Sequence, residues 1–171
     1  MQPEFINFTI NNDYVVYSLL VGFFVAGVNG CALAPAVSFS AGKAATSTNR
    51  GVIKFENVLT NEGSGYNKDT GKFTAPYDGV YLFTWTIITR QKEAVATELY
   101  VNNVLKGYSF ADARDATGMM DDSASNTLIV KMTRNQVAEI RVHATSWNTY
   151  VEGGNWSSFS GFLIHVTVII S

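Results

Sequence analysis

Four aspartates lie close together in a stretch without sustained hydrophobic periodicity. The candidate metal ligands are Asp112, Asp115, Asp121 and Asp122. The surrounding segment, Ala111 to Ser125, is rich in Asp, Gly, Ala and Ser, which is typical of a surface loop. Carboxylate oxygens are the ligands that Ca²⁺ prefers, but the spacing does not match a calcium-loop motif. Two interpretations therefore stay open, a calcium site and an acidic loop that is merely solvated.

A second candidate site is a later stretch in which aromatic and polar residues mix. Its candidate ligand-binding residues are Trp147, Asn148, Tyr150, Glu152 and Trp156. Exposed aromatic rings can stack on a sugar, and neighbouring amide and carboxylate groups can bond its hydroxyls. The stretch predicts a carbohydrate-binding loop. The alternative is that the two tryptophans cover the ends of a β-sandwich.

The residue types do not indicate catalysis. A nucleophile needs a base beside it, and the two histidines, His143 and His165, lie on predicted strands outside any Ser- or Cys-centred motif. The sequence contains no phosphate loop, dinucleotide fingerprint or paired-histidine metal motif. We predict no enzyme, no catalytic residue and no required cofactor, with calcium as the one candidate ion.

Composition narrows the class of partner. The 171 residues carry a net charge of −2, and no cluster of Lys or Arg has the density that nucleic acid requires. Only 15% of the residues are charged, against ~25% in an average protein. The deficit indicates apolar or neutral surface and hence subunit contacts. A single cysteine, Cys31, leaves no intradomain disulfide.

The amino-terminal region has the pattern of a secretory leader. Tyr14 to Val28 is almost continuously apolar but shorter than the ~20 residues that a spanning helix needs. We predict a leader over residues 1–34, cleaved at about 30–34, and a globular domain over residues 35–171 that is secreted without stable membrane insertion. Positive charge is missing before the apolar run, so an uncleaved anchor is the alternative. Asn155 opens an Asn-Trp-Ser pattern, a candidate N-glycosylation site.

Period-two alternation predicts strands through most of the remaining chain. The longest is expected at 79–89. Val95–Val101 runs into Asn102-Asn103, a pair typical of a tight hairpin turn. A further strand is expected at 137–145, with Ala138, Ile140, Val142 and Ala144 facing inward and Glu139, Arg141 and His143 facing outward.

A series of aromatic residues with one asparagine and one glycine leads into the longest strand, and a second group lies near the carboxyl end. The residues are Phe55, Asn61, Tyr66, Phe73, Gly79, Tyr81, Phe83 and Trp85, then Phe159, Gly161 and Phe162. We expect them to be core or turn residues. Their types and spacing over residues 35–171 resemble the globular complement C1q head domain family, whose members usually have Phe or Tyr at the position of Trp85. The resemblance implies an all-β, ten-stranded jelly-roll β-sandwich of the C1q and tumour-necrosis-factor (TNF) type.

The last strand is apolar on both faces, with Phe162 and Ile164 on one and Phe159, Leu163 and Ile169 on the other. We predict that one face fills the core and that the second, with Phe159, Leu163 and Ile169, contacts another subunit. The alternative is that the domain's own loops bury this second face. Relatives in this family are trimers, so the resemblance implies a homotrimer. It also implies an extracellular recognition protein of innate immunity with multivalent microbial, carbohydrate or polyanionic ligands. The alternative is a trimeric signalling ligand for a cell-surface receptor.

Overall fold

The computed structural model describes residues 35–116, 121–146 and 148–167, together with the backbone of three short strands between residues 8 and 24. The chain divides into two units, Met1–Ala34 and Pro35–Ser171. The first unit contains an antiparallel sheet of three strands in chain order, β1 (Phe8–Ile10), β2 (Tyr14–Leu19) and β3 (Gly22–Phe24). The predicted cleavage region and Cys31 lie outside the described residues. Within those residues, no helix long and apolar enough to cross a membrane is found.

The second unit is built from two antiparallel sheets that enclose one core. The five-stranded sheet contains β4 (Ser38–Gly42), β6 (Asn57–Glu62), β9 (Gly79–Thr89), β12 (Asp122–Met132) and β14 (Ser158–Val166). Its strand order is β12-β9-β14-β4-β6. The six-stranded sheet contains β5 (Gly51–Val52), β7 (Tyr66–Asn67), β8 (Lys72–Thr74), β10 (Ala94–Val101), β11 (Val104–Asp112) and β13 (Val137–Val142). Its order is β11-β10-β13-β8-β7, with β5 also paired to β13.

This arrangement confirms the all-β jelly-roll fold class. The described part of the second unit has eleven strands where ten were expected, and two of them, β5 and β7, are only two residues long. The predicted hairpin is also confirmed, because β10 and β11 are joined through Asn102 and Asn103 at φ of 50° and 63°. Both residues take the left-handed conformation that a type I′ turn requires.

The alternation of β9 defines the two faces of the five-stranded sheet. Tyr81, Phe83, Trp85 and Ile87 point into the core and are at most 1% exposed. The residues between them are half-exposed along the whole strand. Since successive side chains of a strand point to opposite faces, every even-numbered residue of β9 belongs to the outer surface of the sheet.

The signature aromatics form the centre of the core, as predicted. The ring of Phe39 lies 4.7 Å from that of Tyr66 and 5.1 Å from that of Phe73, both stacked. Gly161 is required beside this stack, because a Cβ there would lie 2.6 Å from the ring of Phe83 and 2.8 Å from that of Phe39. Phe162 is the exception among the signature residues, since it faces outward and is 45% exposed.

The signature asparagine and tyrosine connect the two sheets. The Asn61 side chain accepts a hydrogen bond from the Tyr66 amide at 3.0 Å and donates one to the Tyr66 carbonyl at 2.9 Å. The Tyr66 hydroxyl donates to the carbonyl of Phe55 and accepts from its amide, at 3.1 and 3.2 Å. Asn61 therefore acts as a strand partner between β6 and β7, which belong to different sheets.

The indole nitrogen of Trp85 forms hydrogen bonds across the core. Its Nε1 donates to the Thr97 hydroxyl at 3.0 Å and the Ser109 hydroxyl at 2.9 Å. The two hydroxyls are 2.8 Å apart and also bond to each other. Both belong to the six-stranded sheet, so the residue that departs from the family pattern has its own polar partners there. Phe could not make these bonds.

Two boundaries were predicted wrongly. The segment from Ala111 to Ser125 is not one loop, because β11 extends to Asp112 and β12 begins at Asp122. In the predicted 137–145 strand, β13 ends at Val142, and Ala144 is exposed rather than inward. Glu139 does point away from the core, but it is only 3% exposed because it lies beside Lys72 and Arg141.

The two faces of the last strand were also assigned wrongly. Phe159 is fully buried in the core, and Leu163 packs against the same core. The residues that face outward are Phe162 and Ile164, at 45% and 42% exposure. A register shift between Leu163 and His165 interrupts the alternation. Phe159 and Leu163 are therefore not available to another subunit, and Ile169 lies outside the described residues.

Candidate functional site

The two loops singled out in the sequence meet at one hollow. The hollow has a volume of about 300 Å³ and is lined by Ile88, Asp121, Glu152 and Trp156. Ile88 comes from the end of β9, Asp121 precedes β12, and Glu152 and Trp156 come from the loop before β14. The structure thus places one predicted calcium ligand beside two predicted carbohydrate contacts.

Glu152 is held in a fixed position by three donors. Its Oε1 accepts from the Thr46 hydroxyl at 2.8 Å and from the Gly153 amide at 3.2 Å, and its Oε2 accepts from the Tyr150 hydroxyl at 2.7 Å. Because these bonds, that from Tyr150 first, stabilise the charged form, the pKa of Glu152 is lowered. The Glu152 amide also donates to the Ile88 carbonyl at 2.9 Å, which fastens the loop to β9.

Trp156 presents its indole ring to solvent. Its side chain is 68% exposed, so it does not cover an end of the sandwich as the alternative interpretation required. The preceding residues, Gly154 and Asn155, have φ of 61° and 66°, and the Trp156 amide donates to the Gly153 carbonyl at 3.1 Å. This turn directs a large aromatic surface outward next to a carboxylate.

The remaining predicted contacts play different parts. The Arg90 guanidinium lies 4.4 Å from the centre of the Tyr150 ring, so one face of that ring is covered by protein. Tyr150 holds Glu152 through its hydroxyl, and a ligand contact by its other ring face stays a prediction. Asn148 is half-buried, and its backbone N–H donates a hydrogen bond to the Ala94 carbonyl at 3.0 Å. Trp147 lies outside the described residues.

The four aspartates line a second hollow of about 330 Å³ that shares Asp121 with the first. Two of them have partners already. Asp112 accepts from Arg114 Nε at 2.7 Å and Nη2 at 2.5 Å, which lowers the pKa of Asp112. Asp122 Oδ2 accepts from the Asp112 amide at 2.7 Å. Among the described residues, no three His, Cys, Asp or Glu side chains gather as a metal site would require, so calcium binding at Asp112, Asp115, Asp121 and Asp122 stays a prediction.

The candidate glycosylation residue is on the same loop. Asn155 is exposed, and its Oδ1 accepts from Asn57 Nδ2 at 3.0 Å. Ser157, the third residue of the pattern, is fully buried and accepts from the Ile88 amide at 3.1 Å. Glycosylation at Asn155 stays a prediction.

Neither histidine is among the described residues that line the two hollows. His143 Nδ1 accepts from the Thr145 amide at 3.1 Å, which leaves the other ring nitrogen, Nε2, to face Glu98 Oε1 at 3.5 Å. His165 is exposed on β14. Neither side chain has a contact in the described structure that resembles a base activating a Ser or Cys nucleophile.

Sequence reasoning missed two members of the site. Thr46, which fixes Glu152, is 106 residues away along the chain. Ile88 was predicted as part of a strand but not as a lining residue. The sequence shows that the polar loops are far apart along the chain. It does not indicate which of these loops lie together in the fold.

Comparisons with known proteins agree with this fold. A family model described as the C1q domain matches residues 37–164. The heavy metal-binding protein HIP of Mytilus edulis is 31% identical over 114 residues, which are 67% of this chain and 52% of that protein. The chain thus spans about half the length of this curated relative.

Solved structures with the same fold come from two groups of proteins. The globular domain of zebrafish complement 1qA superposes with a TM-score of 0.64 at 17% identity, over 77% of this chain and 99% of that one. Eiger TNF from S. frugiperda superposes with a TM-score of 0.63 at 10% identity, over 80% of this chain and 98% of that one. The C1q family model covers most of the chain and the buried signature residues lie within it, so the chain belongs to the C1q domain family.

Proposed function

We propose that the chain is a secreted, non-enzymatic recognition protein that binds multivalent carbohydrate through the hollow at Trp156. The observation that carries this proposal is the exposed indole of Trp156 beside the fixed carboxylate of Glu152. The indole offers an apolar face on which a sugar ring can stack. The carboxylate offers acceptors in a known direction, and a preorganised acceptor needs no ordering when the ligand binds.

A single hollow of this size contacts only a small part of a glycan, so each site is weak and several copies must act together. We propose a homotrimer, the assembly that the family resemblance implies. Three linked sites then engage a surface that repeats the same sugar, such as a microbial envelope, and the avidity exceeds the affinity of one site. Recognition of such surfaces in innate immunity is the role that fits this arrangement.

The outer face of the five-stranded sheet supports the trimer. One row across three adjacent strands is apolar and consists of Ile129, Leu82 and Phe162. Ile129 is 64% exposed and Phe162 is 45% exposed in the single chain. Exposed apolar rows of this kind mark protein contacts. The predicted contact therefore moves from Phe159 and Leu163 to Phe162 and its neighbours on β9 and β12.

The next row of the same face also suits a contact between identical chains. It runs across all five strands and contains only hydroxyl residues, namely Thr127, Thr84, Ser160, Ser40 and Thr60. Within it, Thr127 bonds Thr84 at 3.0 Å and Ser160 bonds Ser40 at 2.9 Å. Because four of these five hydroxyls already have partners and all are uncharged, covering them costs little desolvation.

The experiment for the carbohydrate site compares two exposed aromatics. The full chain with Trp156→Ala should bind an immobilised glycan array at least about tenfold more weakly than the unmodified chain. A chain with Tyr108→Ala should bind as before, because Tyr108 is 56% exposed on the other sheet. Both variants should keep the mass of the unmodified chain in light scattering. Unchanged glycan binding by the Trp156→Ala chain would contradict the proposal.

A second candidate function is a signalling ligand for a cell-surface receptor. It is favoured by exposed aromatics on the six-stranded sheet, where Tyr108 and Phe110 are 56% and 52% exposed. Aromatic side chains are enriched in protein interfaces. Saturable binding to host cells that Tyr108→Ala removes and Trp156→Ala does not would select this function instead.

Metal binding, which the mussel relative's name describes, is not part of the proposal. The described residues include no group of three His, Cys, Asp or Glu that could hold a metal ion. We propose that binding at the hollow requires neither calcium nor another cofactor, so a chelator should leave glycan affinity unchanged. Loss of glycan binding in chelator would contradict this point.

A further inference from the structure

The charge of the hollow separates classes of sugar. Two of its four described lining residues, Asp121 and Glu152, are carboxylates, and none is Lys or Arg. The adjoining hollow adds Asp115 and Asp122, together with Asp112, whose charge is compensated by Arg114. Residues 117–120, between the two parts of the acidic loop, are Thr-Gly-Met-Met and carry no charge. A ligand that enters from solvent therefore meets negative charge from two loops.

Glu152 keeps its charge at any pH near neutrality. Its pKa is lowered by the bonds from the Tyr150 hydroxyl, the Thr46 hydroxyl and the Gly153 amide. The Arg90 guanidinium lies 4.4 Å from the centre of the Tyr150 ring and also contacts Glu93 Oε1 at 3.4 Å. Arg90 therefore offsets part of the negative potential without lining the hollow.

The Trp156 side of the hollow also favours a positively charged ligand. The exposed indole of Trp156 presents a ring face with negative electrostatic potential, and Trp is the aromatic residue that attracts cations most strongly. A protonated amine between this ring and Glu152 gains a cation–π contact and a charge-assisted hydrogen bond. A carboxylate or phosphate in the same place gains neither and is repelled by both carboxylates.

From this geometry we propose that the hollow selects sugars that carry a free, protonated amino group. The inference rests on the proposed carbohydrate-binding function of the same site and names its ligand class. An amino sugar fits both halves of the hollow, since its ring stacks on Trp156 and its ammonium group reaches Glu152 and Asp121. Polyanionic ligands, one of the classes predicted from the family resemblance, are disfavoured here.

Calorimetric titration of the full chain with three probes of equal length tests this selection. The probes are a tetrasaccharide of glucosamine, its N-acetylated form and tetragalacturonate, at a mildly acidic pH that keeps the amines protonated. The glucosamine probe should bind about tenfold more tightly than the N-acetylated probe, and tetragalacturonate should not bind. Added salt should weaken the glucosamine complex and leave the N-acetylated complex nearly unchanged.

Two variants and a control assign the effect to the hollow. Glu152→Gln keeps an acceptor for the loop but removes the charge, so it should lower glucosamine affinity about tenfold and spare the N-acetylated probe. Trp156→Ala should weaken both probes. Glu62→Gln removes one charge from the exposed far end of β6 and should change neither affinity. Thermal denaturation of each variant checks that its fold is intact.

The outcomes separate the two proposals. If the N-acetylated probe or tetragalacturonate binds as tightly as glucosamine, amine selection is overturned and carbohydrate binding stands. If no probe binds the unmodified chain at any concentration, both proposals fail. If glucosamine binding survives Glu152→Gln at full strength, the charge of the hollow is not what selects the ligand, and the inference is wrong.

Discussion

The outer faces of the two sheets differ in where their charged residues lie. Across the five-stranded sheet, the two central rows are mainly apolar or hydroxyl-bearing, and the ionisable residues Lys131, His165 and Glu62 lie near strand ends. The six-stranded sheet instead carries Glu98, Glu139 and Arg141 in the middle of its outer face. A face without central charges can be covered by another protein at low desolvation cost, whereas a face with central charges resists being covered.

Glu139 and Arg141 of the six-stranded sheet compensate each other, and Glu98 Oε1 faces His143 Nε2 at 3.5 Å. Arg141 bonds Glu139 and lies 4.3 Å from the ring centre of Tyr100, and Lys72 Nζ lies 3.1 Å from Glu139 Oε2. Glu139 and Glu98 are only 3% and 5% exposed, although both point away from the core. The side chains around them replace water as the source of compensating charge. The central charges of this face are therefore compensated within the single chain, although Tyr108 and Phe110 on its edge strand β11 are exposed.

The largest effect is expected from a charge placed in the apolar row on the outer face of the five-stranded sheet. Leu82 lies between Ile129 and Phe162 in the apolar row. Leu82→Asp should convert the trimer to a monomer, because three carboxylates would be buried together without partners. Tyr108→Asp places the same charge on the six-stranded sheet and should leave the trimer intact. Sedimentation velocity measures both, and a trimeric Leu82→Asp chain would refute the assignment of the interface.

The next largest effect is expected from the hydrogen bonds by which Trp85 joins the two sheets. Trp85→Phe removes the donor shared by Thr97 and Ser109 and leaves a gap in the core, so the free energy of unfolding should fall by about 2–3 kcal/mol. Assembly should not change, since neither outer face is altered. Urea denaturation measures the loss. Thr97→Val should lower the free energy of unfolding less in the Trp85→Phe chain than in the unmodified chain. If the two losses simply add, the hydrogen bonds do not couple the sheets.

A smaller effect is expected at alkaline pH. Burial raises the pKa of Tyr66 to about 12, above its value of about 10 in an unfolded chain. The unfolded chain therefore releases this proton first, and the contribution to stability is complete below about pH 10 and falls by about 2 kcal/mol as pH rises to about 12. Denaturant titrations across this range should show the fall. The Tyr66→Phe chain should lack the part of this loss of stability that Tyr66 causes. If its stability falls with pH as much as that of the unmodified chain, the assignment to Tyr66 is contradicted.

The smallest effect is expected from the rim of the charged face. The Lys72 side chain is 45% exposed, so its ion pair with Glu139 is largely screened by water. Lys72→Met should cost less than about 1 kcal/mol of unfolding free energy, because Arg141 remains to compensate Glu139. Lys131→Met, at the edge of the other sheet, is the matched control. A loss of several kcal/mol for Lys72→Met would mean that Glu139 depends mainly on this lysine.

The sequence predicted what depends on local alternation and failed where that alternation is interrupted. Tyr81, Phe83 and Trp85 of β9 were predicted correctly as core residues because eleven residues alternate without a break. The faces of β14 were exchanged because both are apolar and a register shift at Leu163/His165 interrupts the pattern. Asp112 and Asp122 belong to strands although their residue type disfavours strands, since pairing with neighbouring strands overrides a weak propensity.

The site could be predicted only in part. The sequence identified Glu152, Trp156 and Asp121 as candidates, but not that Asp121 shares a hollow with the other two. Their meeting depends on how two loops fold at one end of the sandwich. The direction of Trp156 depends on the positive φ of Gly154 and Asn155, and the position of Glu152 depends on Thr46, far away in the chain. Such contacts between distant segments leave no periodic signal in the sequence.

Hydroxyl-radical footprinting of the full chain tests the central contrast between the two faces most directly. Phe162 and Tyr108 are on opposite sheets and are similarly exposed in the single chain, at 45% and 56%. Each oxidation rate is normalised to the rate of the same residue in the urea-unfolded chain. We predict that Phe162 is strongly protected and that Tyr108 is not, because only the face without central charges is covered by other copies. Equal normalised rates for the two residues would contradict the account.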